Sequence, residues 1–280
     1  MVSVTWYIWD HFRAHSSALV DALVMRVGRE AEMQDGLKPG ARWRKAELHA
    51  HCSADPSDYR MCNYTAEQLI AEAGRLGYEI LAITCHDLDV WSLELSVYAE
   101  SLGITLVPGM EVTAEGRFHV LAYNFRTGSE NLNSIQKMRS RKKAETLLIA
   151  PHSFYPARTC LRRILGPNID LFDALEISGF HTRFLDFNGG AKRMAGKHQK
   201  PLVGNADVHR LWQLDRTWTW IYSEPGVLPV LEAVKRGNVY VKSSPLSAAE
   251  AASWWGRALW HCVFPANSRP SRQALMPICD

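Results

Sequence analysis

The sequence predicts an α/β protein built around a mostly parallel sheet. Three observations lead there. From residue 44 onward, short apolar runs alternate with amphipathic helical stretches. Glycines close several of those stretches at the positions where helices stop. Polar side chains of the kind that bind metals recur where the apolar runs finish. Strands separated by helices imply a sheet that is doubly wound or closed as a barrel.

The elements follow in order. Lys45–His51 reads as a first short strand. Thr65–Gly77 carries Leu69, Ile70, Ala73 and Leu76 at helical spacing and ends on Gly77. Ile80–Thr84 is an apolar strand that stops at Cys85-His86-Asp87. Val90–Leu102 is helical, with Gly103 as its stop. Ile104–Pro108 is the third strand and leads into Gly109-Met110-Glu111. Phe118–Phe125 is its hairpin partner, and Ser129–Glu145 a charged helix. Thr146–Ala150 leads to Pro151-His152. Ala174–Ser178 is a strand, Gly189–Lys200 a helix, and Leu202–Gly204 a strand ending at Asn205-Ala206-Asp207-Val208-His209. Trp218–Tyr222 is a late strand, with its alternating aromatics expected in the core, and Val227–Arg236 a late helix.

Residues 1–43 differ in composition and read as an N-terminal extension, with a short helix over Ala14–Glu32 and a turn at 34–40; Met33 offers an alternative start. The main domain is expected over 44–262. Residues 263–280 hold three prolines and read as a loose tail. The 280 residues, 47% hydrophobic and 22% charged, suffice for a core without disulfides. None of the six cysteines forms a C-x-x-C pair, which leaves no zinc ribbon or thioredoxin motif. A reducing, cytoplasmic setting is expected, with no membrane span. The net charge of +3 is too small for a general nucleic-acid binder, so no stable nucleic-acid partner is expected.

The positions of the polar residues carry the functional reading. His49 and His51 end the first strand. His86 follows the second and Glu111 the third. His119 lies early in the hairpin partner, His152 follows the next strand, and Asp207 and His209 follow a later one. In a barrel such ends share one face. Imidazole and carboxylate suit Zn, Mn and Fe. In His49-Ala50-His51, the strand period of two points both rings the same way, so they can share one ion. A carboxylate such as Glu111 can bridge two ions, and paired ions activate water and steady a phosphoryl oxygen.

These residues resemble the polymerase-and-histidinol-phosphatase (PHP) family. Glu47-Leu48-His49-Ala50-His51 looks like its first motif. Ile83-Thr84-Cys85-His86-Asp87 resembles its second, and Val107-Pro108-Gly109-Met110-Glu111 its third. His119-Val-Leu-Ala-Tyr123, Ala150-Pro-His152 and Asn205-Ala-Asp207-Val-His209 are similar to the later ones, all in the family's order over about residues 44–245. The resemblance implies a distorted (β/α)7 TIM-like barrel holding two or three divalent ions (Mn, Zn or Fe). It implies hydrolysis of a phosphate ester by a metal-bound hydroxide. By analogy His49, His51, Glu111 and Asp207 hold the first ion and Glu111, His119 and His152 the second. The third uses His86, His209 and an early acidic residue. That residue is Asp55 or Asp58; Asp55 is preferred for its distance from His51. Cys85 stands where the family usually has Asp, and is read as a buried structural thiol rather than a soft ligand.

Other signals are weaker. The Gly190–Lys197 stretch has the wrong spacing for a phosphate loop and reads as a helix containing glycines. Lys137–Lys143 reads as a solvated helix face. Arg158, Arg183 and Arg210 are candidates to clamp a phosphate, with Arg183 and Arg210 preferred. Asp207 or another carboxylate is the candidate for managing the water proton, and Asp207 and His209 stand with Arg183 and Arg210 as candidate catalytic residues. A phosphoesterase acting on a small phosphorylated metabolite or a nucleotide is the first expectation. A 3′–5′ exonuclease and a non-catalytic metal-binding module are the alternatives.

Overall fold

In the computed structural model, which describes residues 40–263, β1 (Arg42–Glu47) turns from exposed to fully buried along its length. It is followed by α1 (Ala66–Arg75), β2 (Ile80–Ala82), α2 (Leu93–Ser101), β3 (Thr105–Val107), β4 (Gly109–Ala114) and β5 (Phe118–Tyr123). Then come α3 (Ile135–Arg141), β6 (Leu147–Ala150), β7 (Ala174–Ser178), α4 (Gly189–His198) and β8 (Leu202–Asn205). β9 (Thr217–Ser223), α5 (Val227–Arg236), β10 (Val239–Ser243) and α6 (Ala248–Val263) complete the order. The expected extension lies outside the described residues up to position 39, as does the tail beyond 263.

Local chemistry sets the boundaries. Thr65 and Gln68 form a reciprocal cap that starts α1, and Gly77 leaves it at φ +77°. Ser92 caps α2, which therefore begins later than its apolar pattern suggests. The expected helix over Ser129–Glu145 is split. Its first residues form a 3₁₀ turn, and Ser134 then starts α3 by accepting from Lys137 N.

The strands form two five-stranded sheets, ordered β10-β9-β1-β2-β3 and β4-β5-β6-β7-β8. The expectation of a mostly parallel sheet is corrected. β1/β2, β2/β3, β6/β7 and β7/β8 are parallel, but β1/β9, β9/β10, β4/β5 and β5/β6 are antiparallel. The β4/β5 pairing follows from a tight turn in which Glu115 and Gly116 both have positive φ, as a hairpin requires.

Neither sheet closes on itself. Pro108 interrupts one long stretch whose first half, β3, belongs to one sheet and whose second half, β4, belongs to the other. A parallel bridge joins His86 to Glu111 at this junction, and another joins Ala50 to Val208 at the opposite edge. There Thr219 Oγ1 accepts from Gly204 N at 2.8 Å and donates to Gly204 O at 2.9 Å, a side chain standing in for a ladder partner. Gly204 is required: a Cβ there would stand 2.5 Å from Val241 Cγ1.

One apolar core serves both sheets. It takes residues from every strand but β4, and Val230, Leu231, Ala233 and Val234 of α5 pack on it. In β9 the aromatics meet the expectation only in part, since Tyr222 is buried but the two tryptophans are not. Thr217, Thr219 and Ile221 are buried, whereas Trp218 and Trp220 are only partly so. Among the described residues no helix is long and apolar enough to cross a membrane.

Candidate metal centre

The strand ends gather the polar residues. β1 delivers His49 and His51, the segment after β2 delivers His86, β4 Glu111 and β5 His119. His152 follows β6, and Asp207 and His209 follow β8. Three of these exits carry a non-glycine residue at positive φ: Asp87 (53°), His152 (27°) and Asp207 (52°). Such backbone is disfavoured and is held only where the surroundings impose it. Here it turns the chain sharply off each strand and keeps the polar side chains together.

Glu111 sits at the middle. Its Oε2 lies 3.1 Å from His49 Nε2, 3.3 Å from His51 Nε2 and 3.2 Å from His86 Nε2. Its Oε1 lies 2.7 Å from His119 Nδ1 and 3.2 Å from His152 Nε2. Each carboxylate oxygen therefore faces its own set of imidazoles. Asp207 Oδ1 is 3.3 Å from His49 Nε2 and 3.2 Å from His51 Nε2. Both His51 Nε2 and Asp207 Oδ1 are buried without a hydrogen-bond partner. Unpartnered buried polar atoms are rare and call for a ligand. Two atoms bound to one ion at about 2.1 Å stand about 3.0–3.4 Å apart, which matches these spacings. The donor set and its orphaned atoms fit a divalent ion.

His49, His51 and Asp207 form one group able to hold an ion, and His49, Glu111 and His152 another. His86, Glu111 and His119 form a third, and His51, Asp55 and His86 a fourth. His119 and His152 are thus divided between two groups, although the sequence placed them on one ion. Asp55 and Asp58 both reach the cluster, in different ways. Asp55 is fully buried, with Oδ2 2.7 Å from His51 Nδ1 and 3.0 Å from His86 Nδ1. Asp58 is part-exposed and holds His209 Nε2 at 2.7 Å.

Electrostatics favour cations here. Burial opposes a charged His49, but Asp207, Glu111 and Glu176 outweigh it and raise its pKa to about 10. Burial likewise opposes charge on His51 and His152, yet the nearby Asp207, Asp55 and Glu111 raise His51, and Cys160 and Glu111 raise His152, well above the usual imidazole value. Glu111 is held well below the usual carboxylate range, because His119, His49 and His86 overcome its burial. For His119 burial wins and lowers the pKa in spite of Glu111.

Residues that the sequence did not single out hold the ligands in place. Glu176 lies in the middle of β7, fully buried. It is 2.9 Å from His49 Nδ1 and accepts from His152 N at 2.7 Å and Asn205 Nδ2 at 2.9 Å. An acceptor at Nδ1 puts the proton there and leaves the Nε2 lone pair for an ion. Glu47 accepts from His49 N and Ala206 N. Cys160 Sγ is 3.4 Å from His152 Nδ1. A lone Glu inside the five-residue apolar run Ala174–Ser178 was the available signal for Glu176. Cys85 belongs to none of the ion-holding groups; it packs in an apolar cluster with its Sγ 3.6 Å from Cys52 Sγ.

The cluster floors a cavity of about 260 Å³ whose lining includes Asp58, His86, Glu111, His119, His152, Asp207 and His209. Neither Arg183, which is exposed, nor Arg210, which is half-buried, lines it. The Lys137–Lys143 run is a surface helix face, with Arg139 paired to Asp170 and Lys142 to Asp173.

No protein-family model and no curated protein sequence matches the chain. Solved structures that resemble it include PsfC from Pseudomonas syringae PB-5123, at 13% identity and TM-score 0.49, covering 79% of this chain and 99% of that one. A protein of Bifidobacterium adolescentis ATCC 15703, provisionally described as a metal-dependent phosphoesterase, matches at 15% identity and TM-score 0.47, covering 68% and 94%. An amidohydrolase of Chromobacterium violaceum, with bound sulfate and no metal, matches at 12% identity and TM-score 0.46, covering 73% and 99%. Likeness at this level does not bear on what this chain does.

Proposed function

We propose that the chain is a metal-dependent phosphoesterase of the PHP type, its two sheets being the halves of a distorted (β/α)7 barrel. The observation that carries this reading is the disposition of Glu111, with one oxygen toward His49, His51 and His86 and the other toward His119 and His152. That is the disposition of a carboxylate shared between neighbouring ions. Two or three ions (Mn, Zn or Fe) would be held by His49, His51, Asp207 and Glu111, by Glu111 with His119 and His152, and by His86 and His209 with Asp55 or Asp58. Bound divalent ions lower the pKa of water and neutralise a phosphoryl oxygen.

The chain's own residues supply the rest. Glu176 and Asp55 fix the tautomers of His49 and His51. Asp207 and His209 line the cavity and are the groups placed to hold or move a proton. His209 is steadied by Asp58 on Nε2 and by the Asp207 carbonyl, 3.0 Å from Nδ1. The cavity volume suits a small phosphorylated metabolite or nucleotide better than a strand. Among the described residues no lysine or arginine lines it, which disfavours the exonuclease reading.

Stripping the purified protein with a chelator and restoring Mn, Zn or Fe tests this. Phosphate release from phenyl phosphate should appear only with metal, and should fall by at least a hundredfold in Asp207→Asn. Full activity after chelation would overturn the proposal. So would bound metal without turnover of any phosphate ester, which would favour the non-catalytic module.

A further inference from the structure

The cavity has two unlike halves. The cluster of imidazoles and carboxylates forms one. Met61, Tyr155, Pro156, Phe180 and Trp254 form the other. The Phe180 and Trp254 rings are stacked, with centroids 4.6 Å apart and planes 10° from parallel. The Trp254 ring also lies 5.1 Å from the ring of His209, so the aromatic face begins where the ligand cluster ends. Among the described residues this part of the lining offers little polarity apart from Thr159. The Tyr155 hydroxyl is already committed, donating to Phe180 O at 2.9 Å. Arg158 lies between the lining residues Ala157 and Thr159, but its side chain is exposed.

A phosphoryl group on the cluster leaves the remainder of its ester along this wall. A carboxylate or second phosphate there would lose water and find no cationic partner among the described lining residues. A ring would gain burial and stacked contact. We propose that the substrate is a phosphate monoester of an uncharged alcohol bearing an aromatic ring. The ring would rest on Phe180 and Trp254, which makes Trp254 a specificity-determining residue. This rests on the phosphoesterase reading above. In the reaction a water oxygen bonds to phosphorus, the P–O bond to the alcohol breaks, and the alcohol leaves with a proton derived from that water.

Three alkyl esters of similar leaving-group basicity test this on the metal-loaded protein: 2-phenylethyl, n-butyl and glycerol phosphate. Propane-1,3-diol bisphosphate serves as the doubly charged comparison. Binding of 2-phenylethylphosphonate and n-butylphosphonate, measured by calorimetry, gives a readout without turnover. kcat/KM for the phenylethyl ester should exceed that for the butyl ester by about tenfold and that for the others by more. Trp254→Ala should remove most of that ratio, and Trp254→Phe should keep about half or more of it. Phenylethylphosphonate should bind about tenfold tighter than butylphosphonate, and Trp254→Ala should abolish the difference.

Equal kcat/KM across the esters would overturn the substrate class and leave the phosphoesterase reading standing. Preference for the bisphosphate, lost in Arg158→Ala, would do the same. Trp254-dependent phosphonate binding without turnover of any ester would keep the aromatic subsite and sink the phosphoesterase reading. Absence of both binding and turnover would overturn both.

Discussion

Glu176→Gln is the most informative single change outside the ligands themselves. Glu176 Oε1 faces His49 Nδ1 and Asn205 Nδ2, both donors, while Oε2 accepts from His152 N. An amide of the same shape has only one acceptor oxygen. If its NH₂ faces His152 N, two donors collide and the turn carrying His152 must shift. If it faces His49, Nδ1 becomes an acceptor, the proton moves to Nε2, and the nitrogen aimed at Glu111 and Asp207 is blocked. Leaving one such buried donor unsatisfied lowers stability by about 1–3 kcal/mol. Loss of an orienting partner of this kind weakens metal affinity by about 10–100-fold. The assay is competition between the protein and a chelating dye for Mn or Zn, with a thermal melt in parallel. Affinity within twofold of wild type would refute the reasoning, because either His49 is not a ligand or Glu176 does not set its tautomer.

Other outcomes follow from the same structure. The raised pKa of His49 stabilises the metal-free fold fully below its ordinary value of 6.5, and the contribution is lost as pH rises through about 10. Melting of the chelated protein should therefore fall across that window, and metal affinity should rise across it as ions displace protons. Cys85→Asp would place a carboxylate in an apolar cluster beside Asp55. It should destabilise the fold by several kcal/mol, measured by denaturant unfolding, unless the new carboxylate takes up a proton. Gly204→Ala would drive a Cβ against Val241 and should lower stability by about 1–3 kcal/mol on the same measurement, reporting on the junction of β8 with β9 and β10.

Much of the fold was legible because helical spacing and strand-length apolar runs are local signals. Ala174–Ser178 and Val227–Arg236 have the bounds that the pattern predicts. Pairing direction was not legible, since nothing local in β9 says that it runs antiparallel to β1. β10 and α6 escaped as well, because Val239–Ser243 is short, carries Lys242 and is mostly half-buried. Trp218 and Trp220 of β9 misled because alternation along a strand does not say which of its faces is buried. The strand instead turns Thr217 and Thr219 inward, where Thr219 bonds Gly204. At the site, side chains lying just past a strand announce themselves by position. Glu176 does not: it lies inside its strand and shows its role only once His49, His152 and Asn205 are seen around it. The choice between Asp55 and Asp58 could not be read from spacing, because the loop folds back and brings both to the cluster, one on His51 and His86 and the other on His209.

The central claim is that Glu111 is shared between ions. Its most direct test is the number of divalent ions bound per chain, measured by elemental analysis after reconstitution with Mn and removal of the excess, for wild type and Glu111→Gln. The account predicts at least two ions in the wild type and at most one in the variant, with the variant still folded. No bound ion in the wild type, or the same number in both, would contradict it.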